Sequence, residues 1–512
     1  MRIRLTRHRV KPLTIHPMST LSIAQRLERL PITSYQRMIF VVIATAWFFD
    51  CLDVAMMTFV LSSIKQEFAL SAEKAGLLAS MSFLGMFIGA GCAGVLADKY
   101  GRIVVFRASI IIWGLASLFC ALSPNVEALM FFRVLLGVGL AMELPVGQSM
   151  ICEFVPARVR GKYVALLEGM WPVGFIAAGL LAMFIVPSFG WRGAFVAEAI
   201  PAIFVLVIRR MVPESPRWLA ESGQTAKATE VISVIETKVE EALRRSGKAQ
   251  IVASGSIGET IADNHGGGVA VLTKPEPAVS MNTIENEVSE SVSSPDSDPN
   301  ATSPCGDGSG PDRASIKTIF GKQYIKRTVM VWMLWFFALL GYYGLTSWFG
   351  AMLEAKGMDF AKSTENIVNI SLAGIPGFFT AAWLVEAWGR KPMMITSLLC
   401  CAASAYFYGT ANDTNSIFIF GLIMQFFMFG MWSVIYAYTP ELYPTHARAT
   451  GSGFASSIGR VGAWLGPVLV GIILTKSGQQ GAFIMGASAF VLAAAAVFFL
   501  GEETKGKVLE EI

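Results

Sequence analysis

The sequence predicts an all-α membrane protein with twelve transmembrane helices in two six-helix inverted-repeat bundles. Composition is the first reason. Of 512 residues, 54% are hydrophobic and 15% charged, with a mean hydropathy of +0.55, whereas soluble domains carry about 25% charged residues. The second is a series of apolar stretches of the length that crosses a bilayer, roughly 20 residues each. They fall at 37–62, 73–97, 104–122, 126–151, 162–187 and 193–212, and resume at 327–352, 363–387, 392–411, 415–439, 450–475 and 480–500. The third is internal repetition. Gly94-x-x-x-Asp98-x-x-Gly101-Arg102 returns as Ala382-x-x-x-Glu386-x-x-Gly389-Arg390, and Glu153-x-x-Pro156-x-x-x-Arg160 returns as Glu441-x-x-Pro444-x-x-x-Arg448. Both patterns are displaced by 288 residues, and two unlike patterns sharing one displacement point to a duplicated half.

The flanks of these stretches set an orientation. The net charge of +4 gives no reason to expect a nucleic-acid partner, but its distribution is uneven. Basic residues gather in the N-terminal tail (Arg26, Arg29, Arg37) and in alternate loops, as at Lys99, Arg102 and Arg107, at Arg158, Arg160 and Lys162, and at Arg390 and Lys391. The intervening turns, such as 122–126 and 411–415, are poor in Lys and Arg. The positive-inside rule therefore puts both termini and the central loop in the cytoplasm, in a cell membrane crossed many times.

The expected organisation is a cytoplasmic N-terminal tail over 1–36, a six-helix bundle over 37–218, a cytoplasmic linker over 219–320, a second bundle over 321–500 and a cytoplasmic tail over 501–512. The tail carries no apolar core of a cleavable signal peptide, and Met18 is a second candidate start. Within the linker, 224–246 has helical periodicity and mixed charge. The rest, rich in Ser, Pro, Gly and Asp through Ser293-Ser294-Pro295 and Gly306-Asp307-Gly308, reads as a disordered tether. Seven cysteines form no framework or paired motif; six fall in the spans or at their ends and Cys305 lies in the linker. No metal site and no cofactor is expected.

Ionisable residues inside a membrane are expensive and default to function. The first span carries Asp50 and Asp53, three apart and so on one helical face. The fourth carries Arg133 and Glu143, the fifth Glu168, and the eleventh Arg460, about ten residues from its cytoplasmic end. At ~1.5 Å per residue, Asp53 and Arg133 both lie roughly 10–14 Å from the outer face. Glu198, near Pro201, reads as structural. All four histidines fall outside the spans, so a proton relay here has to be built from carboxylates. Trp47, Phe49, Trp171, Tyr342, Tyr343, Trp348, Tyr436 and Trp464 are aromatic candidates for a cavity wall; with Arg460 they suit a flat ring bearing a carboxylate. Trp171, Tyr342 and Tyr343 join Glu143, Glu168 and Arg460 as substrate-binding candidates.

Asp98-Lys99-Tyr100-Gly101-Arg102 resembles the loop signature of the major facilitator superfamily. Glu153-Phe154-Val155-Pro156-Ala157-Arg158-Val159-Arg160-Gly161, Pro213-Glu214-Ser215-Pro216-Arg217-Trp218-Leu219 and Glu503-Thr504-Lys505-Gly506 resemble its sugar-porter-like clade, over nearly the whole chain outside 224–315. The resemblance implies the major facilitator fold and no enzyme. It also implies a cytoplasmic latch built from Gly94, Asp98, Gly101, Arg102, Glu153, Arg160, Glu214, Arg217, Glu386, Arg390, Glu441 and Arg448. It further implies a proton-coupling pair of Asp53 and Arg133, with Asp50 beside them.

The departures matter as much. Where sugar porters carry amides in the seventh helix, this chain has Phe337-Ala338-Leu339-Leu340-Gly341-Tyr342-Tyr343-Gly344. Asp50-x-x-Asp53 followed by Phe59-Val60-Leu61, with Arg26-Leu27-Glu28-Arg29-Leu30-Pro31 and Pro440-Glu441-Leu442-Tyr443-Pro444-Thr445, is most similar to the niacin-permease and aromatic-acid:proton symporter branch. The implied activity is proton-coupled import of a small organic acid by a monomer in the lipid bilayer. An exporter of drugs or metabolites, a sugar or polyol symporter and a non-transporting sensor are the alternatives.

Overall fold

The computed structural model describes residues 23–204, 211–245, 318–444 and 447–505. Met18, Cys305 and the linker expected to be disordered lie outside the described residues, as do the details of Gly94 and of the Asp98 and Arg160 side chains. The described residues are helices joined by short turns: α1 (Ile23–Arg29), α2 (Ser34–Glu67), α3 (Ala72–Tyr100), α4 (Arg102–Ala121), α5 (Val126–Phe154), α6 (Ala157–Glu168), α7 (Met170–Ala199), α8 (Pro216–Glu221) and α9 (Thr225–Arg245). After 317 come α10 (Ile325–Thr346), α11 (Phe349–Ala355), α12 (Phe360–Ser371), α13 (Gly374–Trp388), α14 (Arg390–Thr410), α15 (Thr414–Glu441) and α16 (Arg448–Leu500).

Among the described residues, nine helical stretches are long and apolar enough to cross a membrane. Two of them turn back on themselves. In α7, Gly174 packs against Cys51 and Trp191 donates to Glu67, after which Glu198 returns to the depth of Asp53. In α16, Gly466 meets Gly344 and Gln479 meets Met352, after which Gly486 and Phe490 return along Leu345 and Gly341. The reversals sit at Gly190 (φ 64°, ψ −176°) and Gly478 (φ 66°, ψ −166°), positions 288 residues apart like the charge patterns. With α3 as a further pass, lying so close to α5 that Gly85 meets the Val134 carbonyl and Gly137 that of Ser82, the described residues are consistent with twelve passes.

Local sequence explains how the ends are made. Ser71, Asn125, Asp359 and Asp413 cap α3, α5, α12 and α15 by accepting backbone N–H bonds, Asn125 from Ala128 at 2.9 Å and Asp413 from Ser416 at 2.8 Å. Those caps lie at the end of the bundle poor in Lys and Arg. At that end the two halves touch: Ser62 donates to Glu354, the Thr58 carbonyl covers Gly350, and Gly76 packs on the Pro467 carbonyl.

Three passes are interrupted at mid-chain: α6 gives way to α7 at Gly169, α10 to α11 at Ser347–Trp348, and α12 to α13 at Leu372–Ala373. At the charged end, α1, α8 and α9 form a small cluster in which Trp218, Leu219 and Ala228 bury against Ile23. Arg26 grips Glu236 with two bonds of 2.9 and 2.6 Å, and Arg217 pairs with Glu28 at 2.7 Å.

Candidate functional site

The loop motifs assemble into two matching carboxylate–guanidinium clusters. In the first half Arg102 meets Glu153 at 3.4 Å; in the second Arg390 meets Glu441 at 2.9 Å and Glu386 at 2.9 Å. The helix that follows the first loop is capped by Glu214, which accepts from the backbone N–H of Arg102 at 3.0 Å and of Ile103 at 3.2 Å. Glu503 does the same for Arg390 at 2.9 Å and Lys391 at 3.0 Å. Gly101 and Gly389, at φ 101° and 106°, leave room for these acids: a Cβ there would lie 2.5 or 2.6 Å from the glutamate oxygen. Burial raises the Glu214 carboxyl above its ordinary range, and its backbone donors only partly offset this. Arg217 points instead to α1, and Arg448 donates to the Pro440 carbonyl at 3.0 Å.

The interior of the bundle holds three groups of charge. Asp53 and Arg133 form an ion pair at 3.4 Å, each side chain 1% exposed, with the guanidinium 5.5 Å from the Phe195 ring. One Asp53 oxygen and the Arg133 Nε have no hydrogen-bond partner among the described residues. Glu198 was read from sequence as structural. It is buried beside this pair, in electrostatic reach of both, with neither oxygen hydrogen-bonded among the described residues.

Asp50 and Glu143 form the second group. Trp47 packs near Gly147 across α2 and α5, so one turn along these two helices the two acids come into electrostatic reach of each other. Both are buried; Glu143 accepts from Trp113 Nε1 at 3.3 Å, while both Asp50 oxygens lack partners among the described residues.

Glu168 and Arg460 form the third, one from each half. Glu168 ends α6 at the Gly169 break and accepts from Gln148 Nε2 at 2.6 Å through Oε1, leaving Oε2 without a described partner. Arg460, 8% exposed, reaches across to the first half and donates to the Met86 sulfur at 3.3 Å. Its Nε and, one turn on, the Trp464 Nε1 lack partners among the described residues. Arg460 acts electrostatically on Glu168, Tyr343 and Tyr436.

Beside them runs an aromatic wall. Tyr342 meets Trp432 edge-on at 5.3 Å, Trp432 stacks on Tyr436 at 5.8 Å, and Tyr343 meets Phe83 of the other half at 4.3 Å. Trp348 belongs to packing, donating to the Pro467 carbonyl at 3.1 Å. Trp171 is half-buried in the first turn after the Gly169 break.

A twelve-pass body in two related halves, with charges buried at mid-depth and left incompletely partnered, is that of a multi-pass membrane transporter. The sequence profile of the Major Facilitator Superfamily matches residues 43–380 and 368–511, and the chain belongs to that superfamily. It is 33% identical to the niacin transporter of Acinetobacter baylyi over 493 residues, covering 96% of this chain and 100% of the relative. It is 30% identical to a putative niacin/nicotinamide transporter of Bacillus subtilis, covering 93% and 98%, and 26% identical to the 4-hydroxybenzoate transporter of Acinetobacter baylyi, covering 86% of each. Among solved structures, the xylose transporter of E. coli in its inward-open conformation superposes with a TM-score of 0.64 at 18% identity, covering 93% and 98%, a likeness of fold. The family and branch implied by the loop motifs are thus borne out, and these relatives are transporters rather than enzymes.

Proposed function

We propose that the protein imports a small organic acid, nicotinate-like or another aromatic carboxylate, by proton symport and alternating access. The observation that carries this reading is Arg460. A guanidinium 8% exposed at mid-bundle, with its Nε unpartnered among the described residues and an unpartnered Trp464 N–H one turn away, keeps donors free for an anionic ligand. The aromatic wall of Tyr342, Tyr343, Trp432 and Tyr436 supplies ring faces and edges for a flat substrate. The relatives named for niacin and 4-hydroxybenzoate support the same class.

Coupling falls to the first half. A proton on Asp53 releases Arg133, and Glu198 stands ready as a second partner, which gives the guanidinium two resting places. The charged end faces the cytoplasm in this reading, with both termini and the linker there. The contacts of Ser62 with Glu354 and of Thr58 with Gly350 then close the outer side, and the clusters around Arg102 and Arg390 hold each half rigid as it rocks. The transporter works as a monomer.

The test is uptake of labelled nicotinate into proteoliposomes with and without an inward proton gradient, challenged with benzoate, 4-hydroxybenzoate, nicotinamide and glucose. Gradient-stimulated uptake blocked by the carboxylates is the expected result. Uptake blocked by glucose and not by benzoate contradicts the acid reading; uptake indifferent to the gradient contradicts symport.

A further inference from the structure

We propose that Glu168 is the resident counter-charge of Arg460 and takes up a proton when a carboxylate ligand occupies that guanidinium, so that binding at this site is itself linked to one proton. The inference rests on the anion-binding reading of Arg460 and adds a second proton to the cycle, apart from Asp53 and Arg133.

The argument is one of charge and valence. One carboxylate and one guanidinium, 3% and 8% exposed and one from each half, lie within electrostatic range of each other, Glu168 held by Gln148 and Arg460 resting on the Met86 sulfur. An arriving carboxylate that pairs with Arg460 strands Glu168 as an uncompensated anion in a medium of low dielectric, where a lone charge is disfavoured. Among the described residues no other cation acts on Glu168. Arg133 is engaged by Asp53 and faces Glu198. The groups that face Glu168 from the neighbouring helices are neutral donors or further acids. Gln148 lies on α5, Cys51 on α2 with Asp50 and Glu143 also acting on it, and Tyr436 on α15; Tyr343 of α10 interacts with Arg460. Neutrality returns only if Glu168 gains a proton from water.

The side chain is built to receive one. Gln148 holds Oε1 at 2.6 Å and fixes the carboxyl plane, while Oε2 is buried without a described partner. A hydrogen placed on Oε2 turns an unpartnered acceptor into a donor. Glu168 closes α6 at the kink at Gly169, one residue before α7 begins.

The experiment is isothermal titration calorimetry of nicotinate and benzoate into the purified full-length protein, in buffers of different ionisation enthalpy and across the neutral pH range. Wild type should take up about one proton per nicotinate and lose affinity by up to about tenfold per pH unit on the alkaline side. Glu168→Gln should bind nicotinate without proton uptake and with a flat pH profile, and Glu168→Asp should restore both. Should the glutamine variant fail to fold, Gln148→Leu, which frees Oε1, should move the pH at which half the nicotinate is bound.

Nicotinate binding that is pH-independent and takes up no proton overturns the inference while leaving the anion site standing. A pH profile untouched by both Glu168→Gln and Gln148→Leu does the same. Equal affinity for nicotinate in wild type and Arg460→Gln, or no binding of either acid, overturns the reading of Arg460 and the inference together.

Discussion

Glu214 accepts the backbone N–H of Arg102 at 3.0 Å, more than a hundred residues back along the chain, and so caps a helix whose own N-cap residue, Gly101, has no side chain to offer. Glu503 repeats this at Arg390. The arrangement ties the last segment of each half to the loop between its second and third passes, where Arg102 and Arg390 also bind Glu153 and Glu441. Each such bond to a backbone N–H contributes about 1 kcal/mol, and each glutamate makes at least two. Glu214→Ala and Glu503→Ala are therefore each expected to lower thermal stability in detergent by about 2 kcal/mol, while Glu73→Ala, an exposed acid in the first turn of α3, should fall within the noise. Equal melting temperatures for all three would refute the capping role.

The Glu214 cap also carries a pH signature. Burial favours its neutral form, so the folded protein holds a proton on Glu214 above the ordinary glutamate value of 4.5. Folding then binds more protons than unfolding just above that value, and stability supplied by the neutral carboxyl is lost as pH rises through the folded midpoint. Comparing wild type with Glu214→Gln by thermal unfolding should show wild type losing ground to the variant as pH climbs above 4.5. A difference that is constant with pH, or that grows the other way, contradicts this assignment.

Gly190 and Gly478 give a cleaner test of the duplication. Both hold φ near +65° with ψ close to ±170°, a region open essentially to glycine and costing other residues about 1–3 kcal/mol. Nothing lies within 4 Å of where a Cβ would stand at either, so the penalty is purely conformational. Gly190→Ala and Gly478→Ala should each destabilise by about 1–3 kcal/mol and by similar amounts, measured by unfolding in detergent. Gly453, equally open but helical, should tolerate alanine.

The duplicated loops were legible because they are short motifs of charge and glycine whose backbone roles need particular residues. Asp53 and Arg133 were legible because hydrocarbon leaves so few reasons to keep a charge. Three things were not. Glu214 and Glu503 as helix caps depend on tertiary placement more than a hundred residues away, which no local pattern encodes. Glu198 could be tied to Arg133 only once the reversal at Gly190 brought it back to that depth. Arg217 sits in a latch motif yet pairs with Glu28, because α1 docks beside it.

The Asp53, Arg133 and Glu198 group predicts an unequal pair of losses. Asp53→Asn should abolish uphill accumulation and spare counterflow exchange, because Arg133 keeps Glu198 as a partner and the pocket stays folded. Removing both acids leaves a buried guanidinium alone, which costs about 3–5 kcal/mol. Asp53→Asn/Glu198→Gln should then lose more stability than the two single changes summed, as a double-mutant cycle in thermal unfolding can measure. Additive losses would mean that Glu198 does not share Arg133.

The contact of Ser62 with Glu354 predicts how the halves must separate. It joins α2 to α11 where the Thr58 carbonyl lies 2.7 Å from the Cβ position of Gly350, leaving no path between them. If the cycle exposes the central charges alternately to each side, this seam has to open once per turnover. Ser62→Cys/Glu354→Cys, in a background with Cys92 and Cys400 replaced by serine because neither is buried, should form a disulfide on oxidation. The oxidised protein should neither accumulate nor exchange labelled nicotinate, and reduction should restore both. Binding measured by calorimetry should survive the cross-link, since neither Arg460 nor Glu168 belongs to this seam. Full transport with the disulfide in place would exclude opening at this seam and with it the rocking of the two halves about the Arg460 site.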